Sequence, residues 1–134
     1  MEKKTQTSDL EGLTLLGSKA TAVRKLETFP NHHPTRDYMV TMESEEFTTL
    51  CPLTGQPDFA KIKISYIPDK KILESKSLKL YLWSFRDQGF FHEHAANMIL
   101  DDVVAALGPR YCRITAVFAV RGGISIAIDA EYKQ

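Results

Sequence analysis

Two alternating runs, Tyr111 to Arg121 and Ile124 to Tyr132, meet at Gly122-Gly123, and that junction constrains the chain more than any other feature. In extended backbone successive side chains point to opposite faces, so Cys112, Ile114, Ala116, Phe118 and Val120 share one face. Ile124, Ile126, Ile128 and Ala130 share one face on the return run. A Gly-Gly pair supplies the left-handed backbone of a tight turn, so the runs are predicted to be hairpin partners. A hairpin with an apolar face must lay that face against another layer.

The covering elements lie upstream. Ser75 reads as the N-cap of a helix reaching Arg86, with Leu78, Leu82 and Phe85 at i, i+4 and i+7. Gly89 breaks the chain. A second helix is predicted from Phe91 to Leu107, with Ala96, Leu100, Val103 and Leu107 as its core stripe and Gly108-Pro109 as its stop. Further upstream, Phe59 to Ile67 alternates, Ile62, Ile64 and Tyr66 against Lys61, Lys63 and Ser65, as a half-buried strand does. Tyr38 to Ser44 reads as a strand that Glu45 to Leu50 carries towards Cys51. Ala22 to Phe29 reads as a first short strand, and Pro30 to Pro34 as a loop. Strands, two helices and a closing hairpin make an α+β pattern, helices on one face of an antiparallel sheet.

The 134 residues fit one domain, residues 21–134, preceded by an arm at 1–20 whose apolar run Leu13 to Leu16 could dock on a neighbour. Lys and Arg total 17, as do Asp and Glu. A net charge of zero argues against a nucleic-acid partner, which needs a positive surplus. No apolar run approaches the ~20 residues of a membrane span. Met1 to Asp9 lacks the apolar core of a signal peptide, so the expectation is a cytoplasmic protein with no membrane partner. Cys51 and Cys112 are expected to be free thiols.

Cys51 sits where an apolar strand meets the loop Cys-Pro-Leu-Thr-Gly-Gln-Pro-Asp. A thiolate there is either a nucleophile or a structural cysteine. Cys112, on the apolar face of its strand, reads as structural. Asp58, seven residues after Cys51, either shuttles protons or caps loop amides. His92-Glu93-His94 opens the second helix. Its carboxylate either answers the helix end charge or, with Phe91 as a stacking ring, accepts paired hydrogen bonds from a guanine-like edge. The histidines are two apart and so not on one helical face, which with only two cysteines leaves no zinc ligand set. Lys76 and Lys79, at i and i+3 near a helix start, form either a phosphate site, to which Arg121 could add, or a solvated face. Neither a Gly-x-Gly-x-x-Gly nor a P-loop is present.

Together these segments resemble one family. Glu74-Ser75-Lys76-Ser77-Leu78-Lys79-Leu80-Tyr81 looks like the signature octapeptide of the 7-cyano-7-deazaguanine reductases, where it is associated with NADPH use. Cys51-Pro52 with Asp58 is similar to that family's nucleophile and proton-donor segment, Phe91-His92-Glu93 to its substrate-binding segment, and Arg121-Gly122-Gly123 to its C-terminal turn. Val120 stands where the family often has proline. Order and spacing agree from Leu13 to Tyr132. The resemblance implies the tunnelling fold, with sheets joining into a barrel in a decamer of two pentameric rings. It also implies reduction of the nitrile of 7-cyano-7-deazaguanine through a cysteine thioimide, in tRNA queuosine biosynthesis. On this reading Cys51 and Asp58 are catalytic, and Glu93, His92, Phe91, Glu74 and Ser75 bind substrate. Lys76, Ser77, Lys79 and Arg121 bind NADPH, and no metal is used. The rival readings are a zinc-dependent cyclohydrolase on the same fold and a non-enzymatic purine- or pterin-binding module.

Overall fold

The computed structural model describes residues 24–134. The arm expected at residues 1–20 and the start of the strand expected at residue 22 lie outside them. In chain order the elements are β1 (Thr28–Pro30), β2 (Val40–Leu50), β3 (Pro57–Ile67), β4 (Lys71–Leu73), α1 (Ser75–Trp83), α2 (His92–Leu107), β5 (Tyr111–Arg121) and β6 (Ile124–Lys133). The four long strands form one antiparallel sheet in the order β2-β3-β5-β6, and β1 pairs with β4 in a minor ribbon.

The expected α+β architecture is present, and burial follows the strand alternation. On β3, Ala60, Ile62, Ile64 and Tyr66 are buried while Lys61 and Lys63 face water. Cys112, Ile114, Ala116 and Phe118 are buried on β5. α2 packs across β5 and β6 and buries its whole expected stripe, Ala96, Leu100, Val103 and Leu107, adding Ile99 at 0 % exposure. Each large apolar side chain so buried contributes roughly 1.5–3 kcal/mol. α1 lies over β2 and shares the core through Leu78, Tyr81 and Leu82. Tyr81 donates its hydroxyl to Asp102, which ties α1 to α2. Burial pushes the Cys112 thiol up to about 12, which leaves it inert at neutral pH.

The expectations fail in specific places. Glu74, not Ser75, caps α1: its carboxylate accepts from the amides of Lys76 at 2.9 Å and Ser77 at 2.6 Å, and Ser75 already lies inside the helix as its first residue. α1 stops at Trp83, short of Arg86, because the Ser84 hydroxyl bonds back to the Tyr81 carbonyl and Phe85 turns into the core. β1 is shorter and later than expected, and β4 was not foreseen, since a three-residue strand carries no periodicity. Val120 and Ile124 leave the apolar face and are 66 % and 65 % exposed. The pairing of β5 with β6 shifts register between Phe118 and Arg121, an irregularity of the ladder at the hairpin tip.

Candidate active site

Register places the two expected catalytic residues together. Across β2 and β3, Thr49 stands opposite Asp58 and Leu50 opposite Pro57. The Cys51 amide donates to the Gln56 carbonyl at 2.8 Å, carrying the pairing one step further. Alternation then puts Cys51, Thr49 and Asp58 on one face. The intervening loop closes on itself, Gly55 N–H to Cys51 C=O at 2.9 Å, with Gly55 in left-handed backbone at φ +72°. This closure turns the Thr54 hydroxyl and the Thr54 and Leu53 amides onto the Cys51 sulfur. Those donors hold the half-buried thiol below its ordinary value, outweighing burial and the nearby Asp58 charge, which both push it up.

Asp58 is only 7 % exposed, and each of its oxygens has a partner. His92 Nε2 lies 3.2 Å from one, and Arg121 Nη2 lies 2.9 Å from the other. Arg121 also donates to the Pro57 carbonyl at 3.0 Å. The His92 ring stacks flat on Phe118, 3.8 Å between centroids and 6° between planes. The carboxylate is therefore held by two elements, the first turn of α2 and the β5–β6 tip.

The start of α2 is brought here by the connector from α1. Leu50, the residue before Cys51, donates to Gln88 C=O at 3.0 Å and accepts from Phe90 N–H at 3.1 Å. Gly89 between them lies against Pro52, the residue after Cys51; a Cβ there would meet the Pro52 Cα at 3.0 Å. α2 begins two residues after Phe90, so His92 points back to Asp58 while Phe91 and Glu93 remain exposed in the first turn. Phe91 is 60 % exposed, and Glu93 enters no ion pair among the described residues.

The remaining expected residues form a second group at the start of α1. Glu74 occupies the Lys76 and Ser77 amides, so these are not open to a phosphate. The Ser77 hydroxyl is likewise engaged, accepting from Glu27 N–H at 3.0 Å and donating to the Glu74 carbonyl at 2.8 Å. Lys76, Lys79 and Ser75 are exposed, and neither ammonium enters an ion pair among the described residues. Beside them a groove of about 850 Å³ runs between α1 and β2, lined by Ser75, Lys79, Trp83 and Arg86 among others. The buried indole N–H of Trp83 has no acceptor among the described residues. Arg121 does not join this group within the chain; its guanidinium is on Asp58 and Pro57.

Sequence reasoning missed Thr54, Phe118 and Gly89. A hydroxyl three residues after a cysteine in a Pro/Gly loop was a usable signal for Thr54. Phe118 was read only as core, and nothing local links Gly89 to Pro52. Among the described residues no three His, Cys, Asp or Glu side chains gather as a metal site.

The sequence model of one family, described as QueF-like protein, matches residues 57–134. A curated protein of Syntrophus aciditrophicus (strain SB), named NADPH-dependent 7-cyano-7-deazaguanine reductase, is 68 % identical over 134 residues, covering 100 % of this chain and 96 % of its own. A protein of the same name from Bacillus subtilis (strain 168) is 56 % identical over 131 residues, 93 % of this chain and 79 % of its own. Among solved structures, an apo archaeosine synthase, QueF-Like, is similar with a TM-score of 0.65 at 26 % identity, over 69 % of this chain and 91 % of that one.

Proposed function

The chain belongs to the QueF-like family, whose curated relatives are NADPH-dependent 7-cyano-7-deazaguanine reductases, and on that premise we propose that Cys51 and Asp58 catalyse the reduction, by NADPH, of the nitrile of 7-cyano-7-deazaguanine to an aminomethyl group. The observation that carries the proposal is the placement of a half-buried thiol, its acidity raised by loop donors, and a partnered carboxylate on one face of neighbouring strands. A nitrile carbon accepts hydride poorly. Addition of the Cys51 sulfur forms a C–S bond and moves the π electrons to nitrogen, where a proton from Asp58 completes a thioimide. His92 and Arg121, which contact the two Asp58 oxygens, would fix the orientation of the carboxyl group for that transfer. Hydride addition to the thioimide carbon gives a tetrahedral adduct still bonded to Cys51; its C–S bond then breaks, releasing the thiolate and an imine, and a second hydride and a proton reduce the imine to the amine. Glu93 and Phe91, exposed at the start of α2, would take the N–H edge and the face of the base. Ser75, exposed at the start of α1, and Glu74, whose carboxylate also caps that helix, would contact the substrate as well.

NADPH supplies the hydride, two equivalents for each nitrile. Residues of the α1 groove fit such a dinucleotide: the exposed cations of Lys79 and Arg86, with Lys76 on the same helix as Lys79, would answer its phosphates. Ser77 would act by holding the helix start rather than by direct contact, and Arg121 would reach a phosphate only from another subunit or after leaving Asp58. The proposal includes a cytoplasmic homo-oligomer, a decamer with sheets joined into a barrel, and a catalytic domain over residues 21–134. No described helix is long and apolar enough to cross a membrane.

The test is NADPH oxidation that depends on the nitrile, followed spectrophotometrically, with intact-mass detection of the adduct. Cys51→Ala is expected to abolish both. An adduct of unchanged mass gain on the Cys51→Ala protein would remove the nucleophile from the reading.

A further inference from the structure

We infer that Arg24 is a positioning residue for the Cys51 site, clamping the connector between α1 and α2 so that the Cys51 loop and the first turn of α2 keep a set relation. The inference rests on the functional reading above for the role of Cys51, though not for the geometry.

Arg24 precedes the first strand, yet its side chain spends its contacts on residues 60 to 74 positions away. Its guanidinium carbon lies 4.1 Å from the Phe85 ring centroid and 5.5 Å from that of Phe90. Nε donates to Ser84 Oγ at 3.2 Å, Nη2 to Gln88 Oε1 at 3.0 Å, and Nη1 faces Met98 Sδ of α2 at 3.6 Å. A planar guanidinium alone can stack on a ring and donate along its edges at once. None of these partners is a carboxylate, so the contact is not a surface ion pair of the kind that contributes little. It joins the start of the connector, Ser84, and its middle, Gln88, to the helix that follows.

That connector touches Cys51 from both sides in sequence. Gln88 and Phe90 hold the backbone of Leu50 by two hydrogen bonds, and Gly89 lies against Pro52. Two residues beyond Phe90, His92 reaches Asp58. Nothing else among the described residues bonds the Gln88 side chain. Loosening Arg24 therefore frees the piece that seats the thiol loop and aims the start of α2, without touching a reacting group. Displacements of about 1 Å in such a scaffold cost up to about 100-fold in rate.

The test compares wild type with Arg24→Met, which keeps length and loses charge and donors, and Arg24→Lys, which keeps the charge and loses the planar fork. Three quantities are measured: the pH dependence of Cys51 alkylation by iodoacetamide, read by peptide mass; kcat and KM for the nitrile; and Tm. Arg24→Met is expected to move the alkylation midpoint to higher pH and to lower kcat by about 10-fold or more. Arg24→Lys is expected to recover part of both. An alkylation profile and a kcat equal to those of wild type, with or without a lower Tm, would overturn the inference. If Arg24→Met fails to fold, Arg24→Lys decides by the same criterion. Should wild type itself show no nitrile-dependent NADPH oxidation, the functional reading falls alone, because the alkylation profile still decides the role of Arg24.

Discussion

At the scale of single residues, the sulfur of Cys51 owes its acidity to three donors from the loop that follows it. The Thr54 hydroxyl is the largest of them. Its removal in Thr54→Val should raise the thiol towards its ordinary value and lower the thiolate fraction at neutral pH. Iodoacetamide alkylation measured against pH should then show a midpoint displaced upward; a midpoint that stays put would mean the backbone amides suffice. Asp58 tests differently. Asp58→Asn keeps size and shape but cannot deliver the proton, so substrate binding by calorimetry should persist while turnover falls by about 10²–10⁴-fold. Turnover within a few-fold of wild type would take Asp58 out of the acid role.

At the scale of elements, α1 depends on its cap. Glu74 is held below its ordinary 4.5 by the Ser77 and Lys76 amides that it accepts from. A carboxyl group lowered by folding stabilises the folded chain fully above its unfolded value, and that contribution is lost as pH falls through the lower, folded value. The Tm gap between wild type and Glu74→Gln should therefore be widest near neutral pH and close as pH drops below about 4.5. A gap independent of pH would show that the amide caps as well as the carboxylate does. The β5–β6 hairpin depends on Gly122 and Gly123, at φ +59° and +78°. Gly122→Val forces a β-branched residue into left-handed backbone and should cost about 1–2 kcal/mol in denaturant unfolding. It should also loosen Arg121, the neighbour that holds Asp58, and so lower kcat further than stability alone explains. Loss of stability without loss of kcat would show that Arg121 keeps its place without the turn.

At the scale of the molecule, the sheet has two open edges among the described residues, β2 and β6, each paired on one side only. Its outer face carries Phe59 at 56 % and Val117 at 45 % exposure. Open edges and apolar faces of this kind are usually covered in stable proteins, and the proposed homo-oligomer would cover them with other copies of the chain. Light scattering on purified protein should give a mass about ten times that of one chain, with symmetric closure. A monomer at working concentration would dismiss the barrel and with it any site shared between subunits.

Periodicity alone determined most of the architecture. Alternation at 59–67 and 111–132, the helical stripes through Leu78 and Val103, and the Gly-Gly turn each encode a face that must be buried, and that need is local to the segment. The motif residues Cys51, Asp58, His92 and Glu93 could also be named from the chain. Their relations could not. That His92 partners Asp58 from 34 residues away, that Arg121 contacts the same carboxylate, and that Glu74 closes the amides of α1 were decided by strand register and by the packing of the connector on Leu50 and Pro52. A buried carboxylate takes whichever donors the assembled fold brings within about 3 Å, and that proximity belongs to the tertiary structure.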